Sequence, residues 1–530
     1  MRWLSSLSLT VFLGLLACSK HEAEETGTTG RVELARGLGG DPTSLDPAAA
    51  TDTFSTQVLQ DLYEGLTCES STGDVVPGVA NSWAVDSTGT VYTFQLRPDA
   101  RWSNGKEVRA QDFVSAWQRV VDPNQASPVS DNLQLIAGAP DIIAGRSPPT
   151  ALGVYAQSDH VLVVKLNQPA PYFPQLLTHS ATFPVYSDAS ARTHDPATWI
   201  SNGPYVLSTW EPGTRLELAK NDRYWDRANV NIPRVQYQVA PDQNAQLASY
   251  RAGQIDITDT VPASALPWLH DGHSTELVTA PFLATAYYGL NLSIEPLASN
   301  LKLREALAMA IDRQRLVSAL GFGQTGAYGF VPPGTWNYSA QSWQWKNLKD
   351  SDRIAESKKL YAEAGYSSKK SLHLLLLFNT SPAIKQTAIV VAAMWKEILG
   401  IDTEFSDQEY RVFLQSRHDK KSWQVIRLGW TADYNDASAF LNIFQSNSPN
   451  NNFGFASHPV DQLLDEAAHT ADPQVRRGKL EEAEREVLND YPVIPLYFYV
   501  SKRLVKPYVL GVKPNLLDRI SSKSLTIAPH

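Results

Sequence analysis

A chain of 530 residues is too long for one hydrophobic core, so two or three domains are expected. With 43% hydrophobic and 19% charged residues the composition is globular and argues against disorder. A formal net charge of −9, with no Lys/Arg-rich block to offset it, argues against a general nucleic-acid binder.

Residues 1–18 read as an export signal: Arg2, then an apolar run over 4–16 that is too short to span a bilayer. The run ends in Leu15-Leu16-Ala17-Cys18, which resembles a bacterial lipoprotein lipobox with small Ala17 before the cleavage point. That likeness implies lipidation of Cys18; the alternative is an ordinary signal peptide whose cysteine is incidental. Cys18 and Cys68 are the only cysteines, so Cys68 is left unpaired. The polar, Gly/Thr-rich stretch 19–30 has the composition of a tether.

Residues 31–35 alternate like a strand and 39–47 form a turn-rich loop. Helical spacing covers 57–66, and 91–96 alternates again before a hairpin-like turn at Trp102-Ser103-Asn104-Gly105. A helix is expected over 110–117, and strands at 161–166, 216–218 and 235–239. A helix over 244–252 leads into Gly253 to Ile257, a turn and then a strand. The run 282–291 is β-like, and 301–311 is amphipathic. Helices continue at 358–364, 383–399 and 459–468, and 495–500 is a late buried strand. Interleaved strands and helices put the chain in the α/β class.

The stretch 425–442 organises the functional reading. Val425, Ile426 and Leu428 start a strand around Arg427; the chain then passes Gly429-Trp430 into the acidic turn Ala432-Asp433-Tyr434-Asn435-Asp436, and a helix opens at 437–441. Arg427, Gly429, Thr431 and Asp433 share parity, so an extended chain places them on one face. A peptide laid antiparallel would bring its ammonium to Asp433 and its carboxylate to Arg427, across at most roughly 20 Å. An ordinary strand with two exposed charges fits the same pattern.

Signatures of other chemistry are missing. Gly321-Phe322-Gly323-Gln324-Thr325-Gly326 matches GxGxxG but follows a helix instead of opening one, so it reads as a loop. There is no Walker A lysine, no GxSxG elbow and no HExxH. His270 and His273 sit in a Gly-containing loop without acidic or cysteine support, and no metal or cofactor is expected. His418, between Arg417 and Asp419, fits solvated surface. No spacing singles out a glycosidase carboxylate pair.

Several segments together resemble the family 5 extracellular solute-binding proteins of ABC importers. The clearest runs from Tyr92-Thr93-Phe94-Gln95-Leu96 through Trp102-Ser103-Asn104-Gly105 to Ala110-Gln111-Asp112-Phe113, with Glu107 where proline is usual. Pro77-Gly78-Val79-Ala80, Tyr250-Arg251-Ala252-Gly253-Gln254-Ile255-Asp256, and Leu303-Arg304-Glu305-Ala306-Leu307 with Ile311-Asp312-Arg313 add to it. Asp122-Pro123, Gly429 to Asn435, Ser446-Asn447 and Arg503 to Pro507 bring it closest to the oligopeptide- and murein-peptide-binding members.

The resemblance implies a three-lobed α/β binding-protein fold of the hinged-clamp (class II) type. Lobe I would be discontinuous (31–63, 188–283 and 500–530), lobe II would fill 64–187, and lobe III 284–499. The ligand would lie as an added strand, with Gly429, Trp430 and Thr431 on one side and Thr51, Asp52 and Thr53 on the other. Asp433 would take the peptide ammonium, Arg427 and Arg417 the carboxylate, and Trp430, Tyr287 and Tyr499 would line the pocket.

Departures from the family pattern matter. Gly321 stands at a ligand-binding lysine position, Ile384 at a histidine and Val129 at a ligand-facing tyrosine. Ala284 and Thr431 replace two cysteines that pair in the closest relatives. A narrower ligand-length range is the consequence.

The implied function is a non-catalytic lipoprotein that passes short, free-amine peptides to an ABC permease and its ATPase complex, as a monomer held to the membrane by its lipid. A murein-peptide or other solute receptor on the same scaffold is the alternative, since fold does not set ligand. A secreted hydrolase and a sensor are two further readings, the first without a nucleophile or metal constellation to support it.

Overall fold

Three main sheets organise the computed structural model, which describes residues 33–186, 198–367, 369–432, 434–513 and 515–530. The leader, Cys18, the tether and Asp433 lie outside the described residues.

The first sheet is ordered Glu33–Leu38, Arg234–Val239, Arg215–Lys220, Tyr205–Glu211. Its first two strands run parallel, Glu33 opposite Arg234 and Leu38 opposite Val239. Parallel neighbours need a crossover, and this crossover contains the whole second sheet, which makes the first lobe discontinuous. The second sheet is antiparallel, ordered Ala80–Val85, Val91–Leu96, Val161–Lys165, Val154–Ser158. The helix Ala110–Val121 packs on it and buries Phe113, Trp117 and Val120.

The start of that helix explains the spacing of the Trp102 and Asp112 motifs. Asp112 accepts from the Arg109 backbone N–H at 2.8 Å and from the Trp102 indole N–H at 3.1 Å. One carboxylate thereby caps the helix and ties it to the preceding turn. Gly105 supplies the positive φ (86°) that the turn requires. Residues of both sheets, such as Leu34, Tyr237 and Phe94, share one continuous apolar core with Trp117 of this helix.

The third sheet has six strands, ordered Thr325–Gly326, Val493–Leu504, Leu277–Leu290, Val425–Thr431, His373–Asn379, Asp402–Gln408. Strand alternation sends its side chains into two cores. Along Leu277–Leu290, Ala286, Tyr288 and Leu290 enter one, with Trp395 and Leu307, while Leu283 and Tyr287 enter the other, with Phe330 and Phe440.

Two of these strands are long, 14 and 12 residues. Antiparallel to each other, they lie at one end beside Ala35 and Tyr250, where Leu504 is buried, and reach at the other end to Gly289 opposite Val493. Their register shifts between Pro281 and Thr285 and again between Ala286 and Tyr287, and such irregularities bend the strands that carry them.

Local expectations failed in readable ways. The first helix is Thr53–Leu62, earlier than 57–66, because the Asp52 side chain caps it at Ser55. The strand expected before Ile257 reduces to single bridges from Ile257 to Arg36 and Val505. The helix Pro473–Asp490 escaped the apolar-period reading because its buried face includes Arg476 and Glu484. The apolar run His373–Asn379 is a strand, which a run of that length does not distinguish from a buried helix segment.

Candidate functional site

The strand Val425–Thr431 pairs along its whole length with Leu277–Leu290, from Leu290 opposite Val425 to Ala284 opposite Thr431. On its other side His373–Asn379 pairs only with Val425 and Ile426. Beyond Ile426, that edge of the backbone has no strand partner among the described residues, and Gly429 and Thr431 are exposed. An open edge of this kind can accept an extended chain through main-chain hydrogen bonds.

A concavity of about 310 Å³ lies against this edge. Arg427, Gly429, Thr431 and Tyr499 line it, facing Phe282, Tyr410 and Arg417. Positions 427, 429 and 431, which share parity, all line it, and Leu428 of the opposite parity lines it as well. A Cβ on Gly429 would stand 3.1 Å from the Tyr499 hydroxyl, so glycine leaves room for that ring beside the strand. Ala284 and Thr431, the positions of the lost cysteine pair, lie directly opposite each other.

Electrostatically the concavity is one-sided. Arg427 is 7% exposed, and its guanidinium donates to the Tyr499 hydroxyl and, at 3.4 Å, to that of Tyr497. Its Nε has no partner among the described residues. Burial pushes the Tyr499 hydroxyl up, and Arg427 pulls it back only in part, so the phenol stays neutral at pH 7. Burial likewise pushes Tyr287 up, against the pull of Arg427 and Arg417. Arg417, half-buried at the end of the helix Tyr410–Ser416, has its Nε 3.3 Å from His418 Nε2. Among the described residues neither arginine has a carboxylate within ion-pair distance. A buried cation without a counter-charge is costly, and an entering anion would relieve it.

Other expected residues lie elsewhere. Trp430, on the opposite parity, donates its indole N–H to the Ala439 carbonyl at 2.6 Å and does not line the concavity. Tyr287 is 2% exposed, packs against Phe330 with ring centroids 5.0 Å apart, and does not line it either. Thr51 and Asp52 lie outside any strand and Thr53 opens a helix. Burial opposes ionisation of Asp52, but hydrogen bonds from Ser55 and Thr43 outweigh it and hold the carboxyl below its ordinary value. Asp433 lies outside the described residues.

Tyr410, Phe413 and Tyr497 were missed by sequence reasoning. Tyr410, Phe413 and Leu414 do have helical spacing, but over a helix of only seven residues. Among the described residues no cluster of three metal-ligating side chains occurs, and no helix is long and apolar enough to cross a membrane. A second concavity of about 280 Å³, bordered by Glu64, Cys68, Trp225 and Lys523, lies away from the open edge. Burial pushes its Cys68 thiol up to about 12, and the nearby Glu64 carboxylate adds to that, which leaves it unreactive at neutral pH.

Residues 74–452 match the family described as Bacterial extracellular solute-binding proteins, family 5 Middle. The chain belongs to this family. It is 38% identical to the periplasmic oligopeptide-binding protein OppA of Salmonella typhimurium over 506 residues, covering 94% of this chain and 93% of that one. It is 34% identical to the periplasmic murein peptide-binding protein MppA of Escherichia coli, covering 94% of each. Among solved structures, the unliganded open form of MppA matches with a TM-score of 0.85 at 35% identity, covering 93% of this chain and 97% of that one. The Haemophilus influenzae OppA complex with RPPGFSPFR matches at 0.74 and 33%, covering 93% and 98%. The three-lobed binding-protein fold is that of these neighbours, and the family is one of solute-binding receptors.

Proposed function

We propose that this solute-binding protein captures short peptides with a free amine and delivers them to an ABC permease and its ATPase complex. The observation that carries the reading is the open edge after Ile426, flanked by two arginines that have no carboxylate partner among the described residues. A peptide strand would add antiparallel to Gly429, Trp430 and Thr431, with its carboxylate at Arg427 or Arg417 and its ammonium at Asp433. Thr51, Asp52 and Thr53 would face its other side, by the free backbone groups at the helix start and not as a strand. The names of the relatives above, as oligopeptide- and murein-peptide-binding proteins, support a peptide as the ligand class.

In this reading the lobes divide at 31–63, 188–283 and 500–530 for the first, 64–187 for the second and 284–499 for the third. The protein is a non-enzymatic, exported monomer held to a membrane through lipidated Cys18. Gly321 and Ile384 remove two cationic positions, which narrows the accepted ligand length.

Calorimetry with peptides of two to five residues, each also acetylated at the amine or amidated at the carboxylate, tests the ligand. Tight binding is expected for a narrow length range and is lost with either block. Equal affinity across the panel would sink the reading. Labelled fatty acid should enter the wild type in a bacterial host and not the Cys18→Ser variant; equal labelling of both would remove the anchor.

A further inference from the structure

The turn that follows the open edge is held from outside its own lobe. Tyr172 comes from the chain just after the second sheet, yet its ring stacks on Tyr434 with centroids 5.1 Å apart and planes within 8°. The Arg476 guanidinium carbon sits 4.7 Å from the centre of the same Tyr172 ring. Arg476 in turn grips Asp436 through two bonds of 2.7 Å, and Asp436 also accepts from Ser438 N–H and Oγ–H at 2.9 and 2.6 Å. Tyr172 is 6% exposed although it stands between lobes. Close by, a Cβ on Gly89 would come within 3.1 Å of the Ala471 methyl and 3.2 Å of Pro169, so this lobe junction is packed.

Core membership singles out the contact. Of the described residues in 284–499, Tyr434 is the only apolar side chain that packs on the core shared by the first two sheets. Position 433, the amine-binding carboxylate of the proposed function, immediately precedes it. A site holds its geometry when its supporting residues are locked by packing, and a turn already in place binds without an ordering cost.

We propose that Tyr172 is a positioning residue for the amine end of the ligand: stacked between Tyr434 and Arg476, it holds Tyr434 and, through Arg476, Asp436, the described residues that closely follow position 433 in the chain. The second lobe then governs amine recognition without touching the amine. The ring stack carries the contact, and the hydroxyl, which burial pushes up to about 12 and so keeps neutral, adds hydrogen bonds with Ser438 and Tyr434.

This rests on the peptide reading, and the test separates the two. Full-length wild type, Tyr172→Phe and Tyr172→Leu are titrated with one peptide, its N-acetyl form and its C-amide. In the wild type both modifications should weaken binding; if acetylation does not, the amine-end reading fails and takes the proposal with it. Tyr172→Leu should reduce the preference for the free amine about tenfold, a loss of the size a buried aromatic stack supplies, while the preference for the free carboxylate stays at the wild-type value. Tyr172→Phe keeps the stack but loses the hydroxyl's bonds to Ser438 and Tyr434, so its amine preference should fall by less than that of Tyr172→Leu while its carboxylate preference holds. An unchanged amine preference in Tyr172→Leu overturns the proposal, and so does an equal fall of both preferences, which marks general damage to the cleft. The retained carboxylate preference shows that the variant is folded.

Discussion

Two buried arginines of the third lobe make opposite use of the same side chain. Arg476 meets Asp436 in a two-pronged ion pair, with the two side chains 5% and 2% exposed. Among the described residues Arg427, equally buried, meets only phenol oxygens, and its Nε has no partner. The first arrangement is complete and holds a turn in place. The second has no carboxylate among the described residues, and in the proposed function the peptide carboxylate supplies one. Burial alone therefore does not mark a functional charge; burial without a counter-charge does.

Replacing each arginine by methionine should separate the two roles. Arg476→Met leaves Asp436 buried and unpaired, and should lower unfolding stability by about 3–5 kcal/mol in urea titrations. Arg427→Met removes a cation with no carboxylate partner among the described residues, so unfolding stability should hold or rise, while affinity for a free-carboxylate peptide falls by about 2–5 kcal/mol in calorimetry. The C-amide should bind the variant and the wild type alike. Similar stability losses in both variants would erase the contrast.

A third buried charge sharpens it further. Glu484 accepts from the Phe330 and Val331 backbone N–H groups at 2.6 and 2.9 Å and from the Tyr338 hydroxyl. It has no cation within ion-pair distance among the described residues. Burial pushes its carboxyl up to about 7, and hydrogen bonds to Tyr338, Val331 and Phe330 offset only part of that. The folded chain then holds a proton that the unfolded chain has released, so this group's contribution to stability falls as pH rises from its ordinary value, about 4.3, toward 7. Glu484→Gln should remove a difference on the order of 1–3 kcal/mol between those limits. Parallel pH–stability curves for variant and wild type would exclude the raised value.

The smallest effect is expected at Tyr499. Tyr499→Phe deletes the phenol that accepts from Arg427 and should weaken peptide binding by about 0.5–1.5 kcal/mol. Its fold should be untouched, because the ring that lies beside Gly429 remains. No loss, or a loss as large as that of Arg427→Met, would mean that this hydroxyl does not orient the guanidinium as described.

Parity along 425–431 is set by strand geometry, so positions 427, 429 and 431 could be placed on one face before any fold was known. The same rule put Trp430 on the other face, where its indole donates to the Ala439 carbonyl; its place in the pocket was implied by the family resemblance and not by parity. The α/β class, the cap-and-turn unit at Trp102 and Asp112, and the family itself were legible because each rests on residues close together in the chain. Charge pairing was not. Whether Arg427 or Arg476 has a carboxylate depends on which segments meet, and Asp436 lies 40 residues before Arg476.

Three features belong to tertiary structure alone. The edge after Ile426 is open only because His373–Asn379 ends its pairing there. Tyr287 is buried because the Phe330 segment covers it. Tyr172 reaches Tyr434 because the segment that follows the second sheet packs against the chain just after Val425–Thr431. By itself the sequence determined local periods, caps, turns and a family likeness, since those depend on neighbours a few residues apart. Which charges stay unpaired and which edge stays open depends on contacts between distant segments, and packing decided them.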